Sequence, residues 1–241
     1  MKIGITGSKG FIAGHLTNSL RKKSGIKIIS LSRPKHDLLT LSSLPIQDIV
    51  VHTVAINRGT DQEIIAGSVV ATYNLILAIK KLKNKPKIIF LSSIHAQNDS
   101  VYGQSKRLAE IMLKDFSAQH QVPVTIFRIT NVFGEHCKPF YNSVVATFCY
   151  RITRNKKLEI NPSRKKINFI YVKNLVKIIN KEIFTKRKRL FTFKEIRSKN
   201  KISIPELAKL ISSFKKIKKL ESNFYKNLYK TYLFYLKNYN E

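Results

Sequence analysis

The chain has 241 residues, 43% of them hydrophobic, with 45 Lys and Arg against 14 Asp and Glu. That length suits one α/β domain, and the apolar share excludes wholesale disorder. Cys137 and Cys149 are too few for a disulfide framework, no His pair has metal-site spacing, and no apolar run reaches the roughly 18 residues that span a bilayer. The reading is a cytoplasmic protein with no membrane span and no structural metal, and MKIGITG already reads as a strand, so no signal peptide is expected.

In chain order, KIGIT is a first strand, and Phe11 to about Lys22 a helix behind a glycine loop. IKIIS and DIVVHTVA are the second and third strands, with His52 read as a hydrogen-bonded core histidine. From about Gln62 to Lys83, Ile64, Ile65, Val69, Tyr73, Leu75, Ile76 and Ile79 recur at helical spacing. KIIFLSS is a fourth strand, and a helix from Tyr102 to Gln119 precedes the strand VTIFRI. Strands alternating with helices predict an α/β, Rossmann-like, doubly wound parallel sheet with right-handed crossovers. Residues 1–135 are expected to bind a dinucleotide and carry the catalytic groups, and 136–241 to form a small, mainly helical substrate-binding lobe of the same domain.

The positive charge is uneven: residues 151–241 hold 26 basic and 6 acidic side chains, against 19 and 8 in residues 1–150. A nucleic-acid partner is one reading, a Lys-, Ile- and Asn-rich composition the other. In NFYKNLYKTYLFYLKNYN the apolar residues Phe224, Leu228, Tyr229, Tyr232, Leu233 and Leu236 recur at helical spacing, so the aromatics read as a packed helix face rather than a base-stacking surface. Nucleic-acid binding is therefore not expected.

Gly7, Gly10 and Ala13 follow the first strand as G-x-x-G-x-x-A. Gly7 closes a tight turn, Gly10 leaves room for an approaching pyrophosphate, and Ala13 lets the new helix lie close to the sheet. The N–H groups at the helix start, at Phe11 and Ile12, then face an anionic ligand. NAD sites usually place an acid at the end of the second strand to accept the ribose hydroxyls. Here ISLSRPKHD has Ser32 and Arg33 instead, and Arg33 could hold a 2′-phosphate, so NADP(H) is favoured and NAD(H) stays open. Asp37 and Leu38 pass beside the adenine, and Ala55, just past the third strand, together with Tyr102 and Lys106 further on, completes the expected cofactor set.

The fourth strand ends in Ser92 and Ser93, and YGQSK follows with Tyr102 and Lys106 four apart on one helix face. A phenol titrates near 10, too high for ready proton transfer at neutrality, and a neighbouring ammonium favours its anion. Among ten tyrosines, only Tyr102 has Lys at this spacing. Ser93, Tyr102 and Lys106 are the candidate catalytic set. His136 and Cys137 are adjacent but read as lobe positions, not as a nucleophile and its base.

TGSKGFIAGHL, VVHTVAINR, LSS and YGQSK resemble the extended short-chain dehydrogenase/reductases that modify nucleotide sugars. SSIHAQNDSVYGQSK followed by NVFGEHCKPFYNSVVATFC is similar to the capsular-polysaccharide reductases that act on UDP-2-acetamido-2,6-dideoxy-4-hexuloses. The resemblance implies an NADPH-dependent reduction of a 4-keto UDP-sugar, with Ser93, Arg128, Asn131, Asn142 and Ser143 binding substrate. It also implies a homodimer through the helices around Tyr73 and Tyr102. Members of that family continue into a metal-binding cupin domain that epimerises the sugar. This sequence ends at Glu241, where the cupin would begin, so the expectation is a reductase half with a separate cupin epimerase as partner. Lys173 and Asn174 stand where the family has acids, Asn174 being expected to cap the following helix, and Ser68 replaces an Asn near the cofactor.

Two other readings stay open. One is an epimerase or dehydratase that recycles bound NAD, although Ile94 and His95 follow Ser93 where dehydratases place acids. The other is a dehydrogenase fold used as a nucleic-acid-binding or scaffold module, for which the Ser93, Tyr102 and Lys106 set has no use.

Overall fold

The computed structural model describes residues 1–186, 189–216 and 221–238. Along the chain run β1 (Lys2–Thr6), α1 (Phe11–Leu20), β2 (Lys27–Leu31), β3 (Ile49–His52), α2 (Asp61–Ile65), a π turn (Ala66–Val70) and α3 (Ala71–Lys80). Next come β4 (Lys87–Ser93), a 3-10 turn (Ile94–Gln97), α4 (Val101–His120), β5 (Val124–Ile129), β6 (Asn131–Phe133) and α5 (Val144–Thr153). The last elements are β7 (Ile167–Tyr171), α6 (Val172–Phe184), β8 (Phe191–Ile196), β9 (Lys201–Ile202), α7 (Ile204–Ser213) and α8 (Asn223–Asn238). They form two compact units: Met1–Ile129 with Val176–Ile196, and Thr130–Leu175 with the described residues from Arg197 onward.

The first unit is a six-stranded parallel sheet in the order β2-β1-β3-β4-β5-β8. Its central strands are covered on both faces, which is why Ile88, Ile89, Phe90 and Leu91 form an unbroken buried run rather than an alternating one. Val50, Leu75, Ile79, Phe90, Leu113 and Ile126 build part of the core. The strand order reverses between β1 and β3, so the carboxyl ends of these strands flank the crevice where a doubly wound sheet takes its ligand.

Three expectations change here. The first unit is not the continuous stretch 1–135 that the sequence suggested, because it ends at Ile129 and Val176–Ile196 returns to it, with β8 pairing in parallel with β5. The returning helix is anchored by Glu182, 2% exposed, which pairs with Lys87 at 3.0 Å and accepts a hydrogen bond from Thr125 Oγ1 at 2.9 Å. Second, Asp61–Lys80 is long and apolar enough to cross a bilayer, with mean hydropathy 1.4. Its residues Ile64, Ala71, Leu75, Ile76 and Ile79 are buried within the first unit, which marks a core helix. Third, that helix is not continuous α: the π turn widens it at Gly67, where a Cβ would lie 2.5 Å from Ile56 Cγ1.

In the second unit β7 pairs with β6 in parallel and with β9 antiparallel. Phe148 and Cys149 of α5, Leu207 and Ile211 of α7, and Leu228, Tyr232 and Tyr235 of α8 are buried. A reciprocal Ser203–Glu206 capping box starts α7. The lysine-interleaved aromatics of α8 thus supply core, with Tyr235 donating to the Cys137 carbonyl as a contact the helical spacing did not single out.

Candidate active site

The loop after β1 is shaped by its glycines. Gly7 has φ +58°, and a Cβ there would sit 2.9 Å from Val54 Cγ2. The Gly10 N–H closes the turn onto the Gly7 carbonyl at 2.8 Å, and a Gly10 Cβ would press on that same oxygen at 3.1 Å. The demand on Gly10 is therefore already intramolecular, before any ligand is considered. No side chain caps α1, so none competes for the first-turn N–H groups of Phe11 and Ile12. Such a cradle fits a pyrophosphate. Ala55, half-buried, lies three residues beyond the end of β3. Leu38 is 5% exposed, so its side chain belongs to the core and only its backbone can face an adenine. Asp37 closes a turn onto the Leu39 N–H and pairs with Arg33 at 3.8 Å.

Beneath the β1 and β3 ends, His52 is fully buried in a threonine network. The Thr72 hydroxyl spends its proton on the Ser68 carbonyl at 2.6 Å, so it accepts from His52 Nε2 at 3.1 Å. Thr6 Oγ1 already accepts from the Thr53 N–H and donates to His52 Nδ1 at 2.9 Å. The ring is thus neutral, and burial together with the Lys106 charge pushes its pKa down to about 3. His52 stacks on Phe90 at 5.2 Å. It is the core histidine the sequence suggested.

Above Phe90 lies Lys106, 2% exposed, with Nζ 4.7 Å from the ring centroid and donating to the Leu91 carbonyl at 3.2 Å. Burial pushes its pKa down to about 7, against the opposing pull of Glu110. Tyr102, Lys106 and Glu110 recur every fourth residue on one face of α4. The start of α4 is pressed onto the 3-10 turn that follows Ser93: a Cβ on Gly103 would lie 2.3 Å from the His95 carbonyl and 2.5 Å from that of Asn98. Gly103 is therefore required for this packing of the YGQSK segment, and the motif spacing alone did not mark it. The Ser93 hydroxyl accepts from the His95 N–H at 3.2 Å, and its own proton can be directed at a substrate carbonyl. The His95 and Tyr102 rings meet edge to face at 6.4 Å.

Arg128 is held by Glu110 through Nε at 2.9 Å and Nη2 at 2.6 Å, and its guanidinium lies 4.8 Å over Phe193. Ser92 donates to the same carboxylate at 2.5 Å. This bidentate pairing commits one edge of Arg128 to a partly buried ion pair that ties β4, α4 and β5 together. This pairing with Glu110 is a contact that the resemblance, which assigned Arg128 to substrate, did not single out.

The second unit holds Asn131, Asn142 and Ser143. Asn131 Nδ2 donates to the Asn168 carbonyl at 3.2 Å, Asn142 is exposed, and Ser143 caps α5 by accepting from the Ala146 N–H at 3.3 Å. The loop leading to them has His136 and Phe140 in the left-handed region, with φ of 65° and 58°. Cys137 is a poor nucleophile because burial pushes its thiol up, although Ser143 hydrogen-bonds it. Lys173 now has a partner: it donates to Glu135 at 2.8 Å, as does the Tyr171 hydroxyl. Burial pushes the Glu135 carboxyl up, but the bonds from Lys173, its own backbone and Tyr171 outweigh that and hold it below the usual range. Asn174 does not cap α6, since the helix starts at Val172 and Asn174 is already its third residue.

Residues 3–183 match the NAD dependent epimerase/dehydratase family, and the chain belongs to it. It is 32% identical, over 98% of its length, to UDP-2-acetamido-2,6-beta-L-arabino-hexul-4-ose reductase from Pseudomonas aeruginosa, and spans 65% of that protein. It is similar to the crystal structure of capsular polysaccharide assembling protein CapF from Staphylococcus aureus, with TM-score 0.80 and 30% identity, covering 100% of this chain and 66% of that one. The fold is shared with UDP-glucuronic acid 4-epimerase from Bacillus cereus in complex with NAD, at 17% identity and TM-score 0.88, with 100% of both chains covered.

Lys106 makes the site costly to fold. Its pKa falls from 10.5 to about 7 on folding, so between those values the unfolded chain holds the extra proton and stability rises with pH. Lys106→Met fills the same space without a charge. We predict that it removes this rise and stabilises the protein at pH 7 by on the order of 1–3 kcal/mol. Guanidinium unfolding at pH 7 and pH 10 checks this, and a variant less stable than wild type at pH 7 contradicts it.

Proposed function

We propose that this chain reduces the 4-keto group of a UDP-2-acetamido-2,6-dideoxy-hexulose with NADPH, in the synthesis of a surface-polysaccharide precursor. The observation that carries the proposal is the 32% identity, over 98% of the chain, to a protein named as a reductase of such a sugar. The Ser93, Tyr102 and Lys106 set supports it, because ketone reduction needs one proton donor, one carbonyl-orienting donor and a charge to favour the donor's anion. Bound NADPH is the hydride source. Tyr102 gives its phenolic proton to the sugar oxygen as that oxygen gains charge. Ser93 donates a hydrogen bond to the same oxygen and fixes the carbonyl. Lys106, protonated, lowers the cost of the Tyr102 phenolate. Asn131, Asn142 and Ser143 are assigned to the sugar nucleotide by resemblance, and Arg128, tied to Glu110, is assigned to support.

The reaction is placed in the cytoplasm, where Cys137 and Cys149 stay as free thiols. A second copy of the chain is the proposed partner for an apolar surface: Ile65, Tyr73 and Leu77 on α2 and α3, and Leu108 and Ile111 on α4, are all exposed. Ile111→Glu is expected to convert a dimer to a monomer in analytical ultracentrifugation, and a wild-type monomer contradicts this part.

Tyr102→Phe tests the chemistry. It removes one hydroxyl from a half-buried site, so NADPH affinity is expected to change less than about threefold while turnover falls by about 10²–10⁴-fold. Fluorescence titration and NADPH consumption measure the two separately. Turnover within tenfold of wild type contradicts the assignment.

A further inference from the structure

Two groups, each one turn away, compete for the Lys106 ammonium. On α4, Tyr102 stands four residues before Lys106 and Glu110 four residues after it, each about 6 Å along the helix axis. Lysine and glutamate at this spacing ordinarily attract one another, and burial strengthens the pull. Yet Lys106 Nζ donates to the Leu91 carbonyl at 3.2 Å and not to Glu110. The carboxylate is occupied from the sheet. Ser92 and Arg128 are paired in register on β4 and β5, so their side chains leave the same face. Phe90, two residues before Ser92, shares that face and lies under Lys106. Ser92 Oγ donates to Glu110 Oε1 at 2.5 Å, Arg128 Nε to the same oxygen at 2.9 Å, and Arg128 Nη2 to Oε2 at 2.6 Å.

We propose that Arg128 is a positioning residue for Lys106: by holding both oxygens of Glu110 it keeps that carboxylate from drawing the ammonium one turn along α4, away from Tyr102. This deepens the reductase reading above and rests on it for the role of Lys106 towards Tyr102. The fork matters, since Arg engages two oxygens at once where Lys engages one. Burial matters too. Glu110 is 6% exposed, and a buried carboxylate stripped of its partner takes a cation within reach. Lys106, on the same helix face, already feels its charge. The other charges nearby do not substitute for this arrangement. His52 on β3 is neutral, and Glu195 on β8 is exposed and acts on Arg128. Asp61 and Glu63 on α2, Lys80 on α3 and Arg107 on α4 are all exposed. His95, in the 3-10 turn, meets the Tyr102 ring.

The test titrates Lys106 itself, with neither NADPH nor sugar present. The full chain is labelled with carbon-13 at the lysine ε-carbons, and the Lys106 signal is identified by its loss in Lys106→Met. In wild type its midpoint is expected at about 7, well apart from an ordinary lysine near 10.4. Arg128→Met is expected to raise that midpoint by about one pH unit or more. Arg128→Met/Glu110→Gln removes the carboxylate as well, and is expected to bring the midpoint back to the wild-type value or below. Mere loosening of the packing would raise it in both variants, so the pair separates charge from structure. Circular dichroism checks the fold. Where Arg128→Met does not fold, Arg128→Lys carries the test, with a rise of about half a unit expected. If the midpoint does not rise, or the double variant rises with the single one, the positioning role is wrong and the reductase reading stands. If the midpoints move as expected but wild type oxidises no NADPH with the 4-keto sugar, the positioning stands and the reductase reading fails.

Discussion

The first unit is organised around a charge that its interior disfavours. The Lys106 ammonium has one carbonyl, one aromatic face and almost no water, and its neighbours are what that situation requires. The Phe90 ring meets both Lys106 and His52, and His52 stays neutral because burial, and then the Lys106 charge, disfavour its protonation. Glu110, one turn further along α4, supplies the compensating negative charge but is itself claimed by Arg128 and Ser92. Lys106 therefore keeps an ammonium poised near neutrality, where a fully paired one would be locked on and an unpaired one expelled.

Sheet topology places this group, and glycines let the elements close around it. The reversal of strand order between β1 and β3 opens a crevice, and the turn at Gly7 combines a left-handed backbone with an approach to Val54 too close for a Cβ. Gly103 does the same service at the other wall, allowing α4 to press its first turn against backbone carbonyls that a methyl group would strike. The π turn at Gly67, beside a buried Ser68 hydroxyl that finds no partner among the described residues, marks a third place where regular geometry yields close to the crevice.

Much of this was legible in the sequence. KIGIT, KIIFLSS and VTIFRI announced strands because parallel sheets bury both faces, and the glycine loop and Y-x-x-x-K fall, as read, at a strand-to-helix turn and on the first turns of a helix. What stayed hidden depends on partners far along the chain. FTFKEI carries two charges in six residues and reads poorly as a strand, yet becomes β8 because β5 has an open edge. Lys173 looked misplaced until Glu135, 38 residues away, proved to be its partner. Arg128 drew a substrate role from family resemblance, whereas Glu110 on the neighbouring helix decides where its guanidinium lies.

The most direct test of the central claim is to follow the hydride. The purified chain would be incubated with UDP-2-acetamido-2,6-dideoxy-4-hexulose and NADPH deuterated at the transferable position of the nicotinamide, and the sugar examined by nuclear magnetic resonance. The account predicts one deuterium at C4 of the product for each NADPH consumed. Conversion of the sugar with no deuterium gained and no NADPH lost would contradict it, and would identify an enzyme that returns its hydride to the substrate.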